Sequence, residues 1–108
     1  MEESEGMRKA ILIVDDSKFA RLTLRSVVSS AFPECFVCEA ANGVEAYALL
    51  EEMAPDYVLI DYNMPGEDGL TVAARVHRSH PAAKLALVTA NVQDSVAGRA
   101  KELGVVFI

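Results

Sequence analysis

Three aspartates close two apolar runs in this chain: Asp15 and Asp16 follow Ala10–Val14, and Asp61 follows Tyr57–Ile60. Ligands of open α/β sheets bind beyond the carboxyl ends of the strands, where the strand order reverses. Under a strand order of 2-1-3-4-5 that point lies between strands one and three, and the three acids share one crevice. Two carboxylates about 4 Å apart repel by about 4 kcal/mol at an effective dielectric of about 20, so such a cluster calls for a hard cation. Mg²⁺ meets the need, because it binds through one or two carboxylates, keeps waters and accepts phosphate oxygens. An aspartate can itself accept a phosphoryl group as an acyl phosphate, adding about −1.5 to −2 charges for the same ion to offset. Asp61 is the candidate acceptor. Taken alone, Asp16 or Ser17 would serve equally well as a helix cap. Three acids at two strand ends are poorly explained that way.

Other residues fall where such a crevice would need them. Thr89 ends the fourth apolar run, where its hydroxyl can donate to a phosphoryl oxygen, although β propensity alone also accounts for a threonine there. Ala90 beside it is small and leaves room for a phosphodonor. Asn63, two residues past Asp61, offers a main-chain carbonyl to the metal, and Met64-Pro65-Gly66 fixes the turn that follows. Cys35 and Cys38 lie three apart in a strand-like run and point to opposite faces, so they do not readily share a metal or a disulfide. His77 and His80 complete a zinc quartet only on paper, since the spacing matches no zinc module. Arg75, His77 and Arg78 could meet a partner, but a solvated helix face explains them as well.

The elements that must position these groups follow from hydrophobic periodicity. Ala10–Val14, Cys35–Ala40, Tyr57–Ile60, Lys84–Val88 and Val105–Ile108 read as five strands, mostly continuous apolar runs of the kind covered on both faces of a parallel sheet. Four amphipathic stretches alternate with them. The first aligns Ala20, Leu24, Val27, Val28 and Ala31; the second aligns Ala46, Leu49, Leu50 and Met53. The third, from about Asp68 to Ser79, uses Leu70, Ala73, Ala74 and Val76. The fourth lines up Val92, Val96, Ala100 and Leu103, with Asn91 as N-cap and Gly104 as the stop. Pro33, Asn42-Gly43, Pro55, Pro65-Gly66 and Pro81 all fall between these segments. Strict β-α alternation with right-handed crossovers makes the fold class α/β with a mostly parallel sheet.

Composition narrows the functional classes. The 108 residues make one domain, and 52% apolar with 24% charged residues is a globular balance. A net charge of −6 disfavours direct nucleic-acid binding. No apolar run approaches the roughly 20 residues that span a bilayer. The acidic, polar start, Met1 to Lys9, has no signal region, which places the protein in the cytoplasm with residues 1–8 as a flexible extension.

Four motifs in order carry a family resemblance. They are Ile11-Leu12-Ile13-Val14-Asp15-Asp16-Ser17, Ala41-Asn42-Gly43-Val44-Glu45-Ala46, Asp61-Tyr62-Asn63-Met64-Pro65-Gly66-Glu67-Asp68-Gly69-Leu70, and Val88-Thr89-Ala90. Together they resemble the receiver (response-regulator) family of two-component signalling, from Ala10 to the last residue. The resemblance implies a flavodoxin-like doubly wound (βα)5 fold of order 2-1-3-4-5, with residues 9–108 as the receiver domain. It implies Mg²⁺ at Asp15, Asp16, Asp61 and the carbonyl of Asn63. Asp61 would take phosphate from a sensor histidine kinase or phosphotransfer protein, and the signal would pass to a downstream output protein or effector domain. Thr89 would then move toward the phosphoryl group, and an aromatic of strand five, here Phe107, would turn inward. The chain itself would be no enzyme beyond its own phosphorylation and dephosphorylation.

Receivers continue past strand five with a lysine that pairs with the phosphoryl group, and then a fifth helix. This chain stops at Ile108, so it is expected to be a truncated receiver lacking both. Lys84, opening strand four, and Lys101, on helix four, are not substitutes. One sheet face beside strands one and five should therefore be open, and covered by a homodimer or by strand or helix exchange. Three alternatives stay open. A receiver-shaped interaction module that does not switch is one. A haloacid-dehalogenase-type phosphatase would want Asp-x-Asp after strand one, and a flavin module would want a Ser/Thr/Gly-rich loop there, where this chain has Asp15-Asp16-Ser17-Lys18-Phe19.

Overall fold

A computed structural model describes residues 9–89 and 94–107. Strands β1 (Ala10–Val14), β2 (Phe36–Ala40), β3 (Tyr57–Asp61), β4 (Lys84–Val88) and β5 (Val106–Phe107) alternate with helices α1 (Lys18–Ala31), α2 (Gly43–Leu50), α3 (Gly69–Ser79) and α4 (Asp94–Leu103). All strand pairs are parallel, and the sheet order is β2-β1-β3-β4-β5. The expected doubly wound topology is present. The expected extension 1–8, the Asn91 cap, Val92 and Ala90 lie outside the described residues.

Helices α1, α2 and α3 each start on a side chain that accepts an N–H. Ser17 accepts from Ala20, Asn42 from Glu45, and Asp68 from Thr71. Helix α4 ends at Gly104, whose φ of +74° suits the glycine stop read from the sequence. Helix α2 is shorter than its apolar pattern predicts. It ends at Leu50, and the amides of Glu51 and Glu52 turn back to the carbonyls of Ala48 and Leu49, so Met53 lies outside it. The i to i+3 tightening ahead of Pro55 is a common way to close a last turn.

Two apolar layers flank the sheet. One holds Leu12, Val14, Val58, Ile60, Leu85 and Leu87 against residues of α2, α3 and α4, including Val72 and Val76. The other is small: Ile11, Ile13 and Val37 under Val28 of α1, with Leu24, Cys35 and Leu59 at its margin. Cys35 and Cys38 pack in different layers and are free thiols, as alternation along a strand requires.

Helix α1 departs from its predicted stripe. Val28 is buried and Leu24 half-buried, but Val27 is 60% exposed and Ala31 is also exposed. The face turned to the sheet is centred nearer Arg21, Leu24 and Val28, and the flank carrying Val27 is left open. Beside it lies an apolar cavity of about 330 Å³ lined by Ile11, Val28, Phe32, Cys35, Tyr57 and Leu59, with Lys9 at its edge. Val106 shares this side through its register with Ala86 and is 61% exposed. Among the described residues α1 alone covers this layer, so the expected open face is there.

Candidate functional site

The β1–α1 turn sets the first two acids. Asp15 is 5% exposed, and its amide extends the β1–β2 ladder by donating to the Ala40 carbonyl. Its Oδ1 accepts from the Ser17 amide at 2.9 Å, an Asx turn that folds the chain into α1. Asp16, between them, is exposed. Asp61 is the last residue of β3, one position longer than its apolar run predicts, and pairs with Val88. Its Oδ1 accepts from the amide of Asn63 at 3.2 Å, so Asn63 is tied to the Asp61 carboxylate.

These placements bring the three carboxylates together. Asp15, Asp16 and Asp61 each offer an oxygen within 4.8 Å of the others. Burial pushes the Asp61 carboxyl up to about 6; the Asn63 amide opposes the shift, and the charges of Asp15 and Asp16 add to it. No cation acts on Asp61 among the described residues. An all-oxygen, mutually repelling donor set of this kind suits a hard divalent ion.

The remaining sequence candidates are placed unevenly. Thr89 is half-buried and follows Val88, so it sits at the same sheet end as Asp61. Phe107 lies in β5 opposite Leu87, but the inward turn expected of its ring falls outside what is described. Lys84 opens β4, at the other end of the parallel sheet from Asp61, and Lys101 is exposed on α4. Arg75 is more than a solvated rim residue: its guanidinium lies 3.8 Å from the centroid of the Tyr47 ring.

Several structuring residues escaped the sequence reading. Glu67, in the loop after Asp61, accepts from the Tyr47 hydroxyl at 2.8 Å, and that contact crowds the space where a Cβ on Gly43 would sit. A cavity of about 740 Å³ lies here, lined by Tyr47, Pro65, Gly66, Glu67 and Arg75, beside the acidic cluster and not on it. Gly69 has its own requirement, since a Cβ there would strike the Asp61 carbonyl and approach the Tyr62 Cα to 2.7 Å. Glu39, a lone charge within the apolar β2, pairs with Arg21 and Arg25 of α1. That lone charge was the one signal in the sequence that could have found the network.

The profile of the response regulator receiver domain matches residues 11–108. The chain is 37% identical over 86 residues to the chemotaxis protein CheY of Listeria monocytogenes, covering 80% of this chain and 71% of that one. It is 34% identical over 98 residues to the chemotaxis protein CheY of Halobacterium salinarum, covering 91% and 80%. The structure of Vibrio cholerae CheY4 superposes with a TM-score of 0.83 at 24% identity, over 93% of this chain and 83% of that one. At that identity the superposition speaks to the fold alone.

Proposed function

Since the chain belongs to the response regulator receiver domain family, we propose that it accepts a phosphoryl group on Asp61 in a Mg²⁺-dependent reaction. The observation that carries this reading is the convergence of Asp15, Asp16 and Asp61 at the ends of adjacent strands. Mg²⁺ would be held by these three residues and the carbonyl of Asn63, and would supply charge relief for the incoming phosphate. A carboxylate oxygen of Asp61 attacks the phosphorus of a phosphohistidine. The new O–P bond forms as the N–P bond breaks, and the imidazole leaves with the electron pair. The donor is a sensor histidine kinase or phosphotransfer protein. Thr89 donates its hydroxyl to a phosphoryl oxygen, and small Ala90 leaves the donor room. Phe107 is the switch aromatic. The chain turns over no other substrate, works in the cytoplasm and passes its state to an output protein or a linked effector domain.

A second reading, a receiver-shaped interaction module that does not switch, is favoured by one observation. Among the described residues no cationic side chain acts on Asp61, so the ion must supply most of the positive charge. Self-association through the open face of α1 and β3–β5 belongs to either reading, since Val27, Phe32 and Val106 are exposed there.

Intact-mass measurement after incubation with Mg²⁺ and acetyl phosphate separates them. A Mg²⁺-dependent gain of one phosphoryl group, absent in Asp61→Asn, is the expected result. No gain despite Mg²⁺ binding would leave the non-switching module.

A further inference from the structure

The β1–α1 turn is held by a bond that the metal ligands do not make themselves. The carbonyl of Asp15 accepts from Nη1 of Arg21 at 2.7 Å. Arg21 is the fourth residue of α1, one turn below Ser17, and its backbone amide donates to the Ser17 carbonyl. Its Nε donates to Oε1 of Glu39 at 3.1 Å, and Oε2 of Glu39 accepts from Nη1 of Arg25 at 2.8 Å. Glu39 stands on β2 in register with Ile13, two residues before Asp15. The Arg21 and Glu39 side chains are only 16% and 23% exposed. A planar guanidinium gripped on two edges has little freedom left, and partial burial strengthens both grips.

The bonded oxygen belongs to the peptide that joins Asp15 to Asp16. A peptide is planar, so fixing its oxygen also fixes the Cα of the next residue. Arg21 thereby sets where the Asp16 carboxylate starts from, while Ser17 and Ala40 set Asp15. Without the guanidinium this carbonyl, on a buried residue, would need another donor, and the peptide would be free to rotate toward one.

We propose that Arg21 is a positioning residue for the Mg²⁺ site, acting through the Asp15–Asp16 peptide and braced by Glu39 and Arg25. The proposal rests on the reading of the three acids as a metal site. A lysine cannot reproduce it, because one ammonium has no fork to span Glu39 and the Asp15 carbonyl with fixed geometry.

The test is Mg²⁺ titration of the full chain, followed by calorimetry and by amide shifts of Asp16 and Ser17. The variants are Arg21→Lys, Arg21→Met and Glu39→Ala, with Val28→Ala as a control that loosens α1 without touching the turn. Loss of a group that orients metal ligands weakens metal binding by roughly 10-fold or more. Both Arg21 variants should show about that loss, with the Asp16 amide shifted before any metal is added, and Val28→Ala should bind as the wild type does. Glu39→Ala, which keeps Arg21 but removes its brace, should give a smaller loss, and it decides the matter should the Arg21 variants not fold. If the wild type binds Mg²⁺ and the folded variants bind it equally well, Arg21 positions nothing and the metal site stands. Failure of the wild type to bind millimolar Mg²⁺ would overturn the metal site and the role of Arg21 together.

Discussion

The hydroxyl of Tyr47 donates to Oε1 of Glu67 across 2.8 Å, which ties α2 to the loop that leaves Asp61. Arg75 of α3 closes the same contact from above the ring. Burial and then the Glu67 carboxylate push the Tyr47 phenol up to about 12.

Removing that hydroxyl by Tyr47→Phe should lower stability by about 1 kcal/mol, the net value of one such hydrogen bond. An unfolded tyrosine titrates near 10. The native state therefore holds a proton that the unfolded chain releases above that pH. The stabilisation is complete below pH 10 and is lost as pH rises through 12. Urea midpoints should show the gap between wild type and Tyr47→Phe closing across that window.

Asp61 behaves in the same sense at lower pH. Its carboxyl is raised from 3.8 to about 6, so between these values the metal-free native state binds more protons than the unfolded chain. Stability in chelator should fall as pH rises from about 4 to 6. Asp61→Asn should remove this slope and, at pH 7.5 in chelator, raise stability by about 1 kcal/mol, a repulsion discounted for partial exposure. Mg²⁺ should reverse the order, stabilising the wild type more than the variant. Thermal melts with and without the ion check both statements.

Gly69→Ala should damage fold and site together. The added methyl would strike the Asp61 carbonyl, and overpacking of this kind costs about 1–3 kcal/mol. Gly69 also donates to the Tyr62 carbonyl, so the backbone cannot simply retreat. Denaturation midpoints and phosphoryl uptake from acetyl phosphate should both drop. Uptake at the wild-type rate would mean that the loop tolerates the shift.

Self-association should depend on the open face. Sedimentation velocity should show a larger species as wild-type concentration rises, and Phe32→Asp should abolish it. Phe32 lines the apolar cavity and is 59% exposed, so a charge there meets no buried partner in the monomer. A compact monomer at every micromolar concentration would dismiss the dimer.

The strands and the three acids were legible because short apolar runs ending in aspartate carry both messages at once. The cap at Ser17, the stop at Gly104 and the opposed faces of Cys35 and Cys38 were legible for the same local reason. What escaped depends on distance along the chain. Glu67 meets Tyr47 from 20 residues away, and Glu39 meets Arg21 from 18. No periodicity links such pairs. The rotation of α1 was hidden because its stripe is as wide as the face it might bury, and only the neighbouring elements decide which half is covered. The short end of α2 was hidden because Met53 continues the apolar spacing past Leu50, where the helix ends.

Strand β1 lies between β2 and β3, so Asp15 acquires Asp61 as a neighbour only when β3 joins the edge of β1 away from β2. Such non-local pairings form late, after the loops that separate them have closed. Asp15 and Asp16 precede Asp61 by 46 and 45 residues in the chain. The stretch β1–α1–β2 thus carries two carboxylates of the cluster and lacks the third. The three carboxylates come together only once β3 has paired with β1, so the charge cost of the cluster falls on that one pairing.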